Sequence, residues 1–185
     1  MKRKVLILVI LLAIIILFRG WIYRQLVTYK AIGTRQQYVI NDAVLIDFIE
    51  KSVKNKFKND KNVDIQSIIQ VSLAVTAEQL NFTAANNHND PNKLIYSKTA
   101  HCVGYASFFT STCNYLLKKY ALDEQWQATP HIGQLYLLGA NVHRYISTPF
   151  FKDHDFVVIE NKVTKMTFTV DPTVNDYWGI NFVTK

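Results

Sequence analysis

An α+β domain behind an N-terminal membrane helix is the fold class this sequence predicts, on three observations. The chain opens with one unbroken apolar run, passes through helix-period patterns to about residue 120, and from Gln127 switches to short runs rich in Tyr, Ile, Val, Phe and Thr. Helices followed by a block of strands argue for helices packed on an antiparallel sheet. Aromatics at 13% within a 49% hydrophobic composition argue for a packed core rather than disorder. Of the 185 residues, those beyond the apolar run suffice for one ordinary domain.

The first element is the apolar run. Lys2-Arg3-Lys4 precedes Val5 to Phe18, which is apolar on every face and so unsuited to a half-exposed core helix. Its fourteen residues cover roughly 21 Å as a helix, short of a hydrocarbon core of ~30 Å. Lys4 and Arg19 can snorkel to extend the span, and Trp21 and Tyr23 suit a membrane interface. A small-x-small cleavage site does not follow, so the expectation is an uncleaved signal anchor over residues 1–24, with a cleaved leader as the alternative. The basic tip resembles the leading part of an export signal. It therefore predicts a single-pass membrane protein with its domain outside the cytoplasm.

Residues 25–40 show no clear period and read as a juxtamembrane linker, leaving 41–185 as the domain. Asn41 is a candidate N-cap for a helix carrying Val44, Leu45, Phe48, Ile49, Val53 and Phe57 on one face. Asn59 to Asn62 breaks it, and Asp64 caps a second helix bearing Ile65, Ile68, Ile69, Leu73, Thr76 and Leu80. Residues 81–95 read as a polar loop. A third helix is expected from about Thr99 to Tyr120, capped by Ser97 or Thr99, with Val103, Ala106, Thr110, Cys113, Leu117 and Tyr120 along its buried side. Strands are expected at 131–138, 142–147, 154–161 and 165–171.

The net charge of +7 does not point to nucleic acid. Part of it flanks the apolar run and suits an anionic membrane surface. Another part, Lys51, Lys54, Lys56, Lys58 and Lys61, reads as a solvated helix face. Zinc-finger, RNA-recognition and P-loop patterns are missing, as are HExxH and CxxC, so neither a metal nor a cofactor is expected. The two cysteines, Cys102 and Cys113, lie roughly 16 Å apart along one helix, too far to bridge.

Chemistry concentrates in Cys102, His154 and Asp171. A thiol nucleophile needs an imidazole to ionise it and a carboxylate to hold that imidazole. Cys102 falls in the first turn of its helix, where unpaired N–H groups and the dipole favour a thiolate. Its own N–H is a candidate oxyanion donor, and Gly104 would allow close approach. Pairing HDFVVIEN with KMTFTVD so that Glu160 meets Lys165 sets His154 directly opposite Asp171. A slip of one residue would separate them onto opposite faces. His101 is expected to line the entrance rather than act as base, and Cys113 to be a small buried hydrophobe.

The strings TAHCVGYASFFTSTCNYLLKKY, HDFVVIE and FTVDPT resemble the transglutaminase-like core of the papain-type fold. The resemblance covers roughly residues 95–175. It implies a Cys-His-Asp triad of Cys102, His154 and Asp171, the last in an Asp-Pro-Thr context with Pro172 and Thr173. Family members often carry Gly two residues before the Cys and Trp two after the His, where this chain has Ala100 and Phe156. The implied activity is attack on a peptide or protein amide, those of the cell envelope included, through a thioester resolved by water or an amine. Two other readings are a catalytically inactive scaffold domain on the membrane and acyl transfer of the arylamine acetyltransferase type. The domain is small for the substrate lid of the latter.

Overall fold

The computed structural model describes residues 2–56, 63–146, 148 and 151–185. Phe57, Lys58, the expected helix break at 59–62 and Ser147 lie outside the described residues. The architecture is α+β, with helices packed on an antiparallel sheet.

Helix α1 (Lys2–Leu17) carries the apolar run, and α2 (Arg19–Leu26) follows it after a bend of 71°. Among the described residues no single helix is long and apolar enough to cross a membrane; α1 and α2 reach that length only as a bent pair. The expectation of one continuous helix over 1–24 is corrected accordingly. The linker expected at 25–40 is corrected more sharply. Residues Val27–Thr34 form β1, an edge strand paired antiparallel with β4 (Trp126–Leu137). Its outward positions Thr28, Lys30, Ile32 and Thr34 are exposed while Tyr29 is buried, the alternation of a half-buried strand.

Helix α3 (Ala43–Lys56) is capped by Asp42, whose side chain accepts from Val44 N and Leu45 N, rather than by Asn41. Its Lys51, Lys54 and Lys56 are exposed to solvent. Helix α4 (Ile65–Gln79) is capped by Asp64 as the sequence predicts. The expected loop at 81–95 instead holds a short strand, β2 (Asn81–Phe82), and helix α5 (Pro91–Ser97), which starts on an Asp90 cap followed by Pro91. Strand β2 pairs in parallel with β3 (Thr99–Ala100).

Helix α6 (Cys102–Lys119) is the central helix, and its N-cap is His101 rather than Ser97 or Thr99. Every residue from Gly104 to Cys113 is buried, so the helix is enclosed on all sides instead of along one stripe. Small and hydroxyl residues make that possible, as with Ser111, which donates to Tyr38 O at 2.9 Å. A Cβ on Gly104 would stand 2.7 Å from Ala100 Cβ and 3.3 Å from Leu94. This glycine therefore serves packing against α5, not the approach of substrate.

Strand β4 runs through the middle of the sheet, whose order is β1-β4-β6-β7, with β5 (Ala140–Asn141) folded back on β4. The strand expected at 142–147 is instead a 3-10 turn, Val142–Tyr145. Strands β6 (His154–Asn161) and β7 (Thr167–Val170) form the last pair. Their register matches Glu160 with Thr167 and Val157 with Val170, two residues on from the expected pairing of Glu160 with Lys165. The cause is the connection: Asn161 Oδ1 accepts from Val163 N and Thr164 N, and Lys165 has a positive φ of 63°, which makes a longer turn. The predicted charge pair survives within it, with Lys165 Nζ 3.0 Å from Glu160 Oε1. Helix α7 (Pro172–Trp178) begins immediately after Asp171.

The core lies in two parts. The larger, around α4 and α6, meets Ala128, Val157, Ile159 and Val170 of the sheet. The smaller, on the other face, joins Tyr29, Phe156, Val158, Ile180 and Val183.

Candidate active site

Cys102 is the first residue of an eighteen-residue helix, so its N–H has no intrahelical acceptor and its sulfur sits at the positive end of the dipole. His101 fixes that end: its Nδ1 accepts from Val103 N at 3.3 Å. His154 begins β6, and Asp171 follows β7 while capping α7 through Thr173 N (3.0 Å) and Val174 N (3.1 Å). The structure brings all three predicted residues together. His154 Nε2 lies 2.6 Å from Asp171 Oδ2, and His154 and Cys102 line one cavity of about 330 Å³. With Nε2 on the carboxylate, Nδ1 is the ring nitrogen left for the thiol.

Asp171 is fully buried and held ionised by its partners. Burial pushes its carboxyl up, but the charge and hydrogen bond of His154, the Tyr29 hydroxyl at 2.7 Å and the α7 N–H groups outweigh it, and it ends below the usual range. Burial likewise disfavours the charged imidazole of His154, yet Asp171 and then the Cys102 sulfur hold its pKa well above 6.5. Burial raises the Cys102 thiol too. Hydrogen bonds from His101 and His154, the His154 charge and the Asp155 backbone N–H reverse this and bring it down to about 6. At neutral pH the resting site is therefore a thiolate beside an imidazolium. Cys113 provides the contrast: enclosed in the core, it is pushed up to about 12 and stays a thiol.

Three contributors lie beyond what the sequence reading predicts. Tyr29 sits in the segment expected to be linker; its hydroxyl donates to Asp171 and lies 2.6 Å from the Tyr23 hydroxyl. Val27-Thr28-Tyr29-Lys30 alternates apolar and polar, a signal too short to set a period over 25–40. Arg35, also in that segment, makes a two-point contact with the fully buried Asp155, Nε to Oδ2 at 2.8 Å and Nη2 to Oδ1 at 3.1 Å. That pair holds the start of β6 next to His154. His101 acts directly on the thiol, beyond the entrance role expected of it.

Among the described residues no cluster of His, Cys, Asp and Glu could hold a metal ion. Comparison with family models, with curated proteins and with solved structures gave no match.

Proposed function

We propose that this protein is a membrane-anchored thiol enzyme of the transglutaminase-like class, acting on amide bonds through Cys102, His154 and Asp171. One observation carries the reading: a 2.6 Å imidazole–carboxylate contact sits in the same cavity as a thiol lowered to about 6. The Cys102 thiolate attacks the amide carbonyl carbon, and the oxyanion forms near the Cys102 N–H. The His154 imidazolium gives its proton to the amine nitrogen as the C–N bond breaks, leaving a thioester. Water or an amine, deprotonated by His154, then adds to the thioester and expels the thiolate. Asp171 keeps the imidazole oriented and stabilises its cation throughout.

Support for the anchor is local. The side chains of α1 from Val5 to Leu17 that are described are exposed and apolar, a face that water does not favour and a bilayer does. An N-terminus on the cytoplasmic side would place the enzyme outside the cytoplasm, facing cell-envelope amides.

The test is iodoacetamide labelling against pH together with amide turnover. Cys102 is expected to label with a midpoint near 6 while Cys113 stays protected, and Cys102→Ala to abolish turnover whose pH profile is bell-shaped. Slow, equal labelling of both thiols with no turnover would replace the enzyme with a binding scaffold on the membrane.

A further inference from the structure

The cavity over Cys102 and His154 is walled mostly by carbon, from Phe82, Leu135, Val142, Ile146 and Phe151, with the Asp153 carboxylate at its edge. At Phe82 and Thr173 it adjoins a second, more open cavity of about 260 Å³, bounded by Val174, Tyr177 and Trp178. Taken as one groove across their shared walls, Phe82 and Thr173, the two run from the sulfur toward the end of α7. Its outer aromatics are largely in the open, Tyr177 at 60% and Trp178 at 66% exposure. The far end of the groove is where the N-terminal anchor meets the domain. Arg19, at the bend between α1 and α2, donates from Nε to Trp178 O at 2.6 Å and reaches Gly179 O with Nη2 at 3.5 Å.

Two residues lining the cavity over the sulfur each carry a polar atom without a partner. His143 Nε2 and Thr173 Oγ1 are buried and have no hydrogen-bond partner among the described residues. His143 Nδ1 lies 2.6 Å from the Phe151 carbonyl, which only accepts, so Nδ1 carries the proton and Nε2 of the neutral ring is an acceptor. An acceptor here suits the N–H or O–H of a polar head next to the scissile bond. A long apolar channel, a small polar station at the thiol and a mouth beside the anchor describe one ligand chemistry. A polar peptide would strand its backbone groups against these carbon walls.

We propose that the substrate is a membrane amphiphile whose acyl chain lies along the groove from Phe82 to Trp178, with its carbonyl carbon presented to Cys102. This rests on the thiol-enzyme reading above and narrows its substrate class. The chain leaves the bilayer beside Arg19 without crossing water.

The experiment uses the full chain in detergent micelles with p-nitrophenyl esters from acetyl to decanoyl, reading the burst of p-nitrophenolate. In the burst the Cys102 thiolate forms a C–S bond, the ester C–O bond breaks and p-nitrophenolate departs with the electron pair. Rates are taken relative to N-acetylcysteine in the same micelles, which removes partitioning. Burial of each added methylene predicts roughly a three- to fourfold gain, so octanoyl should exceed acetyl by at least ~100-fold. Trp178→Ser, on an exposed side chain outside the triad, should lower the decanoyl rate relative to the acetyl rate by about tenfold or more. Equal rates across chain lengths, or equal slowing of all esters by Trp178→Ser, would overturn the amphiphile and leave the thiol enzyme standing. No burst with any ester, with Cys102 unlabelled by iodoacetamide at pH 7, would overturn both.

Discussion

Replacing Asp171 with Asn separates the charge of this residue from its shape. The cap of α7 demands an oxygen, because Thr173 N and Val174 N both donate to Oδ1 at 3.0 and 3.1 Å. Asn satisfies that demand as a good N-cap, which turns its NH2 toward His154 Nε2. An amide NH2 can only donate, so Nε2 must give up its proton, the neutral ring carries the proton on Nδ1, and the imidazolium loses its counter-ion. The thiol stands at about 6 instead of 9.0, a preference for thiolate of about 4 kcal/mol. Losing the charged hydrogen-bond contribution of ~1.5–3 kcal/mol moves the iodoacetamide labelling midpoint of Cys102 up by about one to two pH units. Turnover falls by on the order of 10⁴, as for a wrong-tautomer substitution in a nucleophile triad. Stability carries a second signature. The Asp171 carboxyl titrates below its ordinary 3.8 in the folded chain, so its contribution is complete above that value and is lost as pH falls through the lower, folded one. The Asp171→Asn variant lacks this acid limb in urea titrations. A labelling midpoint within about 0.3 pH unit of the parent would refute the ion-pair account.

Two further substitutions test the support around the triad. His101→Asn keeps an N-cap for α6 but removes the ring that helps ionise the thiol; the labelling midpoint should rise by about one pH unit while the thermal midpoint holds. Arg35→Ala leaves the Asp155 carboxylate buried without its cation, a loss of about 3–5 kcal/mol in urea unfolding at pH 7 that shrinks as pH falls and the carboxyl, already raised by burial, protonates; Asp155→Asn added to it should recover much of the loss.

The legible parts of this fold are those whose signals are local. Asp64 caps its helix through its own side chain, His154–Asn161 forms around the β-favouring run Phe156-Val157-Val158-Ile159, and Cys102 lies in the first turn of a helix that begins there rather than near Thr99. The triad residues are legible because each stands at the mouth of an element. The β6–β7 register is not, because opposite charges at Glu160 and Lys165 suit both a tight turn and the wider one that forms. The difference costs nothing at the site: a shift of two residues preserves facing, and His154 still reaches Asp171. Strand β1 is hidden because its partner, β4, lies about a hundred residues away, and an edge strand next to an apolar helix resembles a connection. Helices α5 and α7 are short, and tertiary contacts and caps, rather than periodicity, make them.

The dependence of the triad on β1 is a consequence of one missing side chain. Tyr29 stands on β1 and His154 on β6, with β4 between them. Any side chain at Gly133 of β4 would fill the space over the middle strand: a Cβ there would sit 2.5 Å from Phe156 Cε1 and 2.9 Å from the His154 carbonyl. With no Cβ, the Phe156 ring leans across β4, stacked on His131 at 5.6 Å, and meets Tyr29 edge-on at 5.3 Å. Tyr29 is then carried close enough to donate to Asp171. The hydroxyls of Tyr23 and Tyr29, the Asp171 carboxylate and the His154 ring thus form a continuous hydrogen-bonded line from α2 to the ring that faces the thiol. Such a line polarises along its length in a low dielectric, so the residues just beyond the apolar run are joined to the Cys102–His154–Asp171 site rather than forming a tether.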